Sequence, residues 1–188
     1  MKVITAYFCV FLLMGCSSVS LDTYKDNKPN LILEEYFSGK SKAWGVFQDR
    51  FGNVRREFTV DIDGSWDANT NQLKLIEDFD YKDGATEQRI WTLTKTSDNT
   101  YEGTADGVVG IAKGQTSGNA FQWQYDFNLS IDGKTTKVHF NDWMWLQDDN
   151  TLFNKATISK WGLRLGDVYI FFQKEAAQQA LPQSLAAE

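Results

Sequence analysis

Short segments in which polar and apolar residues alternate run through most of the chain. The clearest is 121–131, where six apolar side chains would lie on one face and five polar ones on the other. Alternation with a period of two is typical of a β-strand that has one buried face. Because Asp132-Gly133 is a turn-forming pair and the alternation resumes at Thr136, this part of the chain predicts a β-hairpin.

Residues that favour turns separate such segments at intervals of about 8–15 residues, and few connections are long. About nine strands are predicted, at 44–50, 54–63, 73–81, 87–95, 100–112, 121–131, 136–146, 151–160 and 166–172. Short connections favour an antiparallel meander, and closing a meander into a barrel pairs its two edge strands. A β-sandwich is the alternative, but its crossovers need longer connections than most of those in this chain.

The predicted fold is therefore mainly β, an up-and-down, lipocalin-like barrel of the calycin type with about 8–10 strands. An interior of that size is just wide enough for side chains or for one small ligand. Helix is expected in the N-terminal signal segment and at residues 31–37, and little elsewhere.

The first sixteen residues have the pattern of a secretory signal. Lys2 precedes an apolar stretch at 3–14, which is too short to span a membrane. The residues Leu13-Met14-Gly15-Cys16 resemble a lipobox, the motif at which the peptide is cleaved and the cysteine carries lipid. We therefore expect lipidation of Cys16, and Ser17 after it resembles the signal for export to the outer membrane. A hydrophobic first strand or a short membrane helix is the alternative.

These features divide the chain into four parts. They are a signal peptide at 1–15, a polar tether at 16–30, a barrel domain at 31–174 and a flexible tail at 175–188. Each buried methylene of an acyl chain contributes roughly 0.8 kcal/mol, so two or three chains would hold the protein on a bilayer. The expected location is the cell envelope, at the periplasmic face of the outer membrane, with the membrane as a partner through the anchor.

The composition excludes some classes of binding partner. The formal net charge is −6, which argues against a nucleic-acid partner and against electrostatic docking onto anionic lipid. His139 is the only histidine, and both cysteines lie within the first sixteen residues, so a transition-metal site is not expected. A calcium site built from carboxylates stays open. No cofactor is expected, and the protein is expected to be a monomer.

Motifs along the folded part resemble a known family. In chain order they are Phe37-x-Gly39, Ala43-x-Gly45, Asp49-Arg50-x-Gly52, Arg56-x-Phe58, Asp83-Gly84, Arg89-x-Trp91, Tyr101-x-Gly103, Gly107-Val108-Val109-Gly110-x-Ala112-x-Gly114, Gly118-Asn119-Ala120, Trp123-x-Tyr125, Asp142-Trp143-Met144, Asn154-x-Ala156 and Lys160-x-Gly162. Over residues 31–173 the chain resembles the DUF3833 proteins, uncharacterised envelope lipoproteins of Gram-negative bacteria. Asn141 and Lys155 depart from the pattern, where a second acid and an arginine are expected.

This resemblance implies a small lipocalin-like envelope protein with no assigned activity. Genes of such proteins often lie near those of enzymes that modify fatty-acyl chains. That association favours a lipid or acyl-chain ligand without giving a mechanism.

Charged residues within apolar strand faces are the first candidates for a site. Glu77 shares the alternation of the apolar residues around it in its strand, and Asp142 does the same in another strand, while Arg56, Arg89 and Asp106 lie in neighbouring strands. An inward carboxylate must pair with a cation or shift its pKa, because burying the charge alone is costly. These residues form either a structural network that closes one end of the barrel or a site where Arg89 or Arg56 binds the head group of an acyl ligand.

Aromatic residues complete the candidate ligand-binding set, since they can line an acyl tunnel or stack on a sugar. The full set is Arg56, Glu77, Arg89, Trp91, Trp123, Tyr125, Asp142 and Trp143. Packing in a solid core is the alternative role for the aromatic members.

Evidence for catalysis is weaker. The alternation places His139 on an outward face or at a rim, and no G-x-S-x-G motif is present. The glycine-rich segment 107–114 lacks the Lys-Ser/Thr ending of a phosphate-binding loop and fits a bulged strand better, and Gly118 is expected in a positive-φ turn.

Three classes of function follow: a barrel that binds a lipid or other hydrophobic ligand, a structural or partner-binding protein with a solid core, and a hydrolase of envelope lipid or sugar. We expect the first and no enzymatic activity.

Overall fold

A computed structural model describes residues 19–131 and 133–175 of the chain. The predicted signal peptide, Cys16 with its expected lipid, the first residues of the predicted tether and nearly all of the predicted tail lie outside the described residues.

Two short helices precede the strands, a 3₁₀-helix at Leu21–Tyr24 and α1 at Leu33–Phe37. Ten strands follow: β1 Gly39–Asp49, β2 Val54–Asp67, β3 Gln72–Tyr81, β4 Thr86–Ser97, β5 Thr100–Thr104, β6 Val108–Ser117, β7 Ala120–Ile131, β8 Lys134–Leu146, β9 Thr151–Lys160 and β10 Leu163–Lys174.

The ten strands form one closed antiparallel barrel. Each strand pairs with the next one along the chain, and β1 pairs with β10 to complete the circle. Closure leaves no unpaired sheet edge, which a sandwich of two sheets would retain. The predicted up-and-down, lipocalin-like barrel is confirmed, and so is the short helix expected near residues 31–37.

The structure corrects one predicted strand. Residues 100–112 form two strands, β5 and β6, separated by a turn at 105–107. Gly107 has a φ of 87°, and a Cβ there would lie 2.5 Å from the ring of Phe127. The Asp106-Gly107 turn signal was hidden inside an alternating segment. As predicted, the glycine-rich strand is irregular, with a register shift against β7 between Val109 and Lys113, and Gly118 has a positive φ of 53°.

The segment before β1 covers one end of the barrel, called here the closed end. The side chains of Leu33 and Phe37 are buried beneath it. The Glu34 carboxylate accepts hydrogen bonds from Lys95 Nζ at 2.6 Å and from Tyr101 Oη at 2.8 Å, which ties α1 to β4 and β5. This end is therefore held shut by both packing and charge.

Gly64 provides a test of that closure. A Cβ at position 64 would lie 1.7 Å from the carbonyl oxygen of Phe37, which belongs to α1 and cannot move alone. We expect Gly64→Ala to displace α1 and to lower the free energy of unfolding by about 1–3 kcal/mol, as overpacking does. Urea unfolding measures the change. Ser65→Ala, which alters the exposed neighbour, is the control, and equal stability of the two variants would contradict the assigned packing.

Part of the predicted tether lies against the barrel. The ring of Tyr24 packs 5.8 Å from that of Trp143, and the carbonyl oxygen of Tyr24 lies where a Cβ on Gly118 would be. Leu31 N donates to the oxygen of Gly118 at 2.8 Å. In the structure, the stretch that leads into α1 is therefore packed rather than separate from the domain.

The opposite end of the barrel, called here the open end, carries the turns at 50–53, 82–85, 105–107 and 161–162. In the described part of the chain, the only elements outside the sheet are the 3₁₀-helix and α1, and both contact the closed end. Neither described helix therefore covers the open end.

Candidate ligand-binding site

The barrel encloses a cavity of about 480 Å³, so side chains do not fill its interior. It extends from Leu33 and Phe37 at the closed end to Phe47 and Leu165 near the open end. This volume falls within the range of about 300–1,000 Å³ that is common for small-molecule sites. Apolar side chains form most of the wall, including Val60, Ile62, Leu75, Phe79, Leu93, Phe121, Phe140, Met144, Ile158, Val168 and Ile170.

Four polar residues on the wall form what we call the inner polar cluster: Glu77, Arg89, Tyr125 and Asp142. Glu77 on β3 and Arg89 on β4 are cross-strand neighbours. Tyr125 on β7 donates its phenolic hydrogen bond to Asp142 Oδ2 on β8, at 3.4 Å. All four line the cavity, and their charges are close enough to influence one another.

Arg89 is the cation of the cluster. Its guanidinium lies over the rings of Phe79 and Phe127, at 5.1 and 5.0 Å from their centres. Nη2 donates to Glu87 Oε1 at 2.5 Å, while the buried Nε has no partner among the described residues. Burial lowers the pKa of Arg89, but the carboxylates of Glu77 and Glu87 outweigh it and raise the pKa, so the side chain keeps its proton.

The two inner carboxyl groups titrate near neutral pH. Burial raises the pKa of Glu77 to about 7, although the charge of Arg89 lowers it in part. Burial also raises the pKa of Asp142 to about 7, against the hydrogen bond from Tyr125 and the charge of Arg89. Near pH 7, protonated and ionised forms of both groups are therefore accessible.

The cluster leaves one donor and one acceptor unused. The buried Nε of Arg89 and Oδ1 of Asp142 have no hydrogen-bond partner within the described structure. Buried polar groups are nearly always paired, and leaving one unpaired costs about 1–3 kcal/mol. A ligand that offers an acceptor to Arg89 Nε and a donor to Asp142 Oδ1 would satisfy the two atoms.

The other predicted residues occupy different places. Trp91 and Trp123 form the wall beside the cluster, with ring centres 5.8 Å apart, and the Trp91 ring lies 5.2 Å from that of Tyr125. Arg56 lines the cavity near the open end, where its guanidinium lies 3.5 Å from the ring centre of Tyr81 and 3.6 Å from Asp83.

Trp143 does not line the cavity, and the structure corrects its predicted placement. Its ring lies on the outer surface, 6.0 Å from that of Trp145 and 5.8 Å from that of Tyr24. Asp142 occupies the inward position, so its neighbour in the strand must point outward. His139 lies on the outer face, as predicted, where Nδ1 is 3.0 Å from Asp126 Oδ1.

Several residues that line the cavity or hold its cluster were not in the predicted ligand-binding set. Phe140 stacks on Tyr125 with the ring centres 5.0 Å apart, and α1 contributes Leu33 and Phe37 from outside the sheet. Glu87 holds Arg89 from two residues away on the same strand face. The spacing of Glu87 and Arg89 was visible in the sequence, whereas the contacts of α1 depend on tertiary folding.

The described residues contain no cluster of three or more histidine, cysteine, aspartate or glutamate side chains placed to hold a metal ion. Within the same residues, no helix has the length and apolar character needed to cross a membrane.

Residues 10–174 match the family described as protein of unknown function (DUF3833). The chain belongs to the DUF3833 family. None of the curated proteins compared with this DUF3833 protein matches it. Among solved structures, the barrel is similar to that of the S-type phycobiliprotein lyase CPES from Guillardia theta, with a TM-score of 0.58 and 10% sequence identity. The match covers 79% of this chain and 95% of the lyase, and at this identity it shows a shared fold.

Proposed function

We propose that this DUF3833 protein binds one amphipathic molecule of the acyl-lipid class inside its barrel. The observation that carries the proposal is a mostly apolar cavity of about 480 Å³ with one polar cluster on its wall. The acyl chain would lie along the apolar wall, and the polar end would meet Arg89 and Asp142. Few, well-placed polar groups in an apolar cavity are the usual composition of a small-molecule site.

The charge state of the cluster supports a weakly acidic polar group on the ligand. Arg89 stays protonated, while Glu77 and Asp142, each with a pKa of about 7, are partly neutral at neutral pH. A carboxylate or phosphate can then pair with the guanidinium without facing two full negative charges. Arg56 lines the cavity near the open end, where it would be a cation on the path of an entering head group.

The lipid anchor on Cys16 and the position at the outer membrane stay predictions of the sequence. Together with the cavity, they would place a lipid-binding barrel beside a source of its ligand.

Native mass spectrometry of the full chain tests the proposal. Cys16→Ser is included so that an anchor is not counted as ligand. We expect one fatty acid or phospholipid per chain to co-purify, or a long-chain fatty acid added later to bind and raise the melting temperature. An apoprotein whose melting temperature does not respond to a fatty acid or to phosphatidylethanolamine would contradict the proposal.

Arg89→Ala should weaken lipid retention by about 10–100-fold, because a hydrogen bond to a charged group contributes about 1.5–3 kcal/mol. Arg55→Ala is the control, since Arg55 pairs with Asp49 on the outer surface. Circular dichroism must show that both variants stay folded. Collapse of the fold in Arg89→Ala alone would favour a structural network instead.

Catalysis in the same cavity is a second candidate. Two carboxyl groups with pKa values of about 7 in a cavity are typical of acid–base sites, and the barrel fold is shared with a lyase. The mass of the ligand recovered after incubation separates the two functions. An altered ligand mass with the unmodified site, but not with Glu77→Gln, would favour catalysis over binding.

A further inference from the structure

Two turns project from the open end side by side. They join β1 to β2 at 50–53 and β9 to β10 at 161–162, and Arg50 N of the first turn donates to the oxygen of Leu165 on β10 at 2.8 Å, close to the second turn. Each turn presents a large aromatic side chain to solvent. Phe51 is 74% exposed and Trp161 is 89% exposed. We call these two turns the aromatic tips.

The backbone conformation at Trp161 is one that a tryptophan does not favour. Trp161 and Gly162 have φ values of 52° and 78°, so both central residues of this two-residue turn are left-handed. Asparagine, aspartate and glycine are favoured in such turns, whereas a tryptophan is strained there. A strained and almost fully exposed aromatic residue points to a role outside the folded domain.

Apolar exposure continues from the tips onto the adjoining strands. Val54, at the start of β2, and Leu163, at the start of β10, are both exposed. Neighbouring exposed apolar side chains on a soluble domain usually mark an interaction surface.

Cations accompany the aromatic tips although the whole chain is acidic. The Arg50 guanidinium lies 4.7 Å from the ring centre of Phe51, and Lys160 Nζ lies 4.6 Å from that of Trp161. Neither has a carboxylate within ion-pair distance in the described part of the chain. Their charges are thus available to an anionic surface.

We propose that the open end of the barrel docks onto a lipid bilayer through the aromatic tips. Phe51 and Trp161 enter the headgroup region, and Arg50 and Lys160 contact lipid phosphates. Aromatic rings beside basic residues are the combination that proteins use at membrane interfaces. Two narrow projecting turns suit insertion between headgroups better than the flat, extended contact of a protein partner. The net charge of the chain predicted that the protein would not dock onto anionic lipid. In this proposal the positive charge at the tips matters more than the net charge, because only the tips contact the bilayer.

Docking in this orientation would turn the mouth of the cavity toward the bilayer. α1 seals the other end, and Arg56 lies inside the open one. A lipid could then pass between bilayer and cavity without crossing water. An anchor on Cys16 would hold the closed end, where the 3₁₀-helix packs, near its own bilayer, so the bilayer meant in this proposal is one that faces the open end. The docking proposal goes beyond ligand binding and does not depend on it.

The outer wall supplies a matched comparison. Trp44, Phe171 and Phe153 form a row across β1, β10 and β9, and Trp44 is 44% exposed. Trp44 lies midway along β1, away from the tips. If the wall docked instead of the open end, Trp44 would take the place of Trp161.

Quenching of tryptophan fluorescence by brominated lipids tests the orientation. The full chain with Cys16→Ser is mixed with vesicles of phosphatidylethanolamine and phosphatidylglycerol that contain brominated acyl chains. We expect Trp161→Asn to remove most of the quenching and Trp44→Phe to leave it unchanged. Asparagine accepts the left-handed backbone, so the first variant should stay folded. All proteins keep residues 3–14, so any contribution of that apolar stretch is common to them.

Flotation with the same vesicles measures binding. Phe51→Ser with Trp161→Asn is expected to reduce binding by about tenfold or more, because two large apolar side chains are lost. The proposal would be overturned if Trp161→Asn were quenched as strongly as the parent protein, or if Trp44→Phe lost the quenching. Self-association by the tips in analytical ultracentrifugation would overturn it too. Native mass spectrometry of the double variant distinguishes the two proposals. If this variant loses vesicle binding but still retains lipid, docking and ligand binding are independent properties of the protein.

Discussion

Ala156→Phe is expected to abolish ligand retention while the barrel stays folded. Ala156 lies on β9 directly opposite Asp142 of β8, and its side chain faces the cavity. A phenyl ring there would enter empty volume rather than occupied core, so the usual overpacking cost of about 1–3 kcal/mol should be reduced or absent. The ring would also separate the acyl path from the inner polar cluster.

Native mass spectrometry and thermal unfolding together measure this effect. Ala156→Ser keeps the cavity open and is the matched control, which should retain ligand like the parent protein. Full ligand occupancy in Ala156→Phe would show that the ligand lies elsewhere. A large loss of stability would show that the interior is more tightly packed than the cavity indicates.

The raised pKa values of two buried carboxyl groups predict a second large effect, a pH dependence of the free energy of unfolding. Glu77 and Asp142 have ordinary values of 4.5 and 3.8 and values of about 7 in the folded protein. The folded state therefore holds protons that the unfolded state has released between about pH 4 and pH 7. The stabilisation that these two carboxyl groups contribute is therefore fully present below about pH 4 and is lost as the pH rises through 7.

Asp142→Asn should therefore raise the free energy of unfolding at pH 8 by roughly 2–4 kcal/mol, since one pKa unit corresponds to about 1.4 kcal/mol. At pH 4 the same variant should change it little. Glu77→Gln should act in the same direction, and the two effects should not add fully because the groups are coupled.

Urea unfolding from pH 4 to pH 8 measures the slopes. Asp63→Asn, on the exposed face of β2, is the control and should leave the profile unchanged. A profile that is the same for Asp142→Asn and the parent protein would contradict a protonated carboxyl group inside the barrel.

Much of the cavity wall could be predicted from local alternation. Glu77 and Asp142 face inward as their apolar neighbours indicated, and Trp91, Trp123 and Tyr125 line the cavity with them. The same rule, applied strictly, would have excluded the residue after Asp142 from the set. Its inclusion came from its aromatic character and not from its position in the strand.

Other features depended on tertiary contacts. The pair Asp106-Gly107 is a local turn signal, but the turn that splits 100–112 into two strands also fits against the ring of Phe127, which is distant in sequence. The contribution of Leu33 and Phe37 depends on where α1 docks after the barrel has closed. The pairing of the two aromatic tips requires β1 to lie beside β10, the last strand of the chain.

The sequence by itself determined most of the strand series and the inward face of those strands, because a period of two is a property of neighbouring residues. Only the tertiary structure decided that Glu77, Arg89, Tyr125 and Asp142 meet on one wall and that the barrel around them is hollow. Both depend on strand register and on closure between residues far apart in the chain. The face of the strand on which a side chain lies follows from its near neighbours in the sequence. The empty volume inside the barrel, in contrast, depends on all ten strands together.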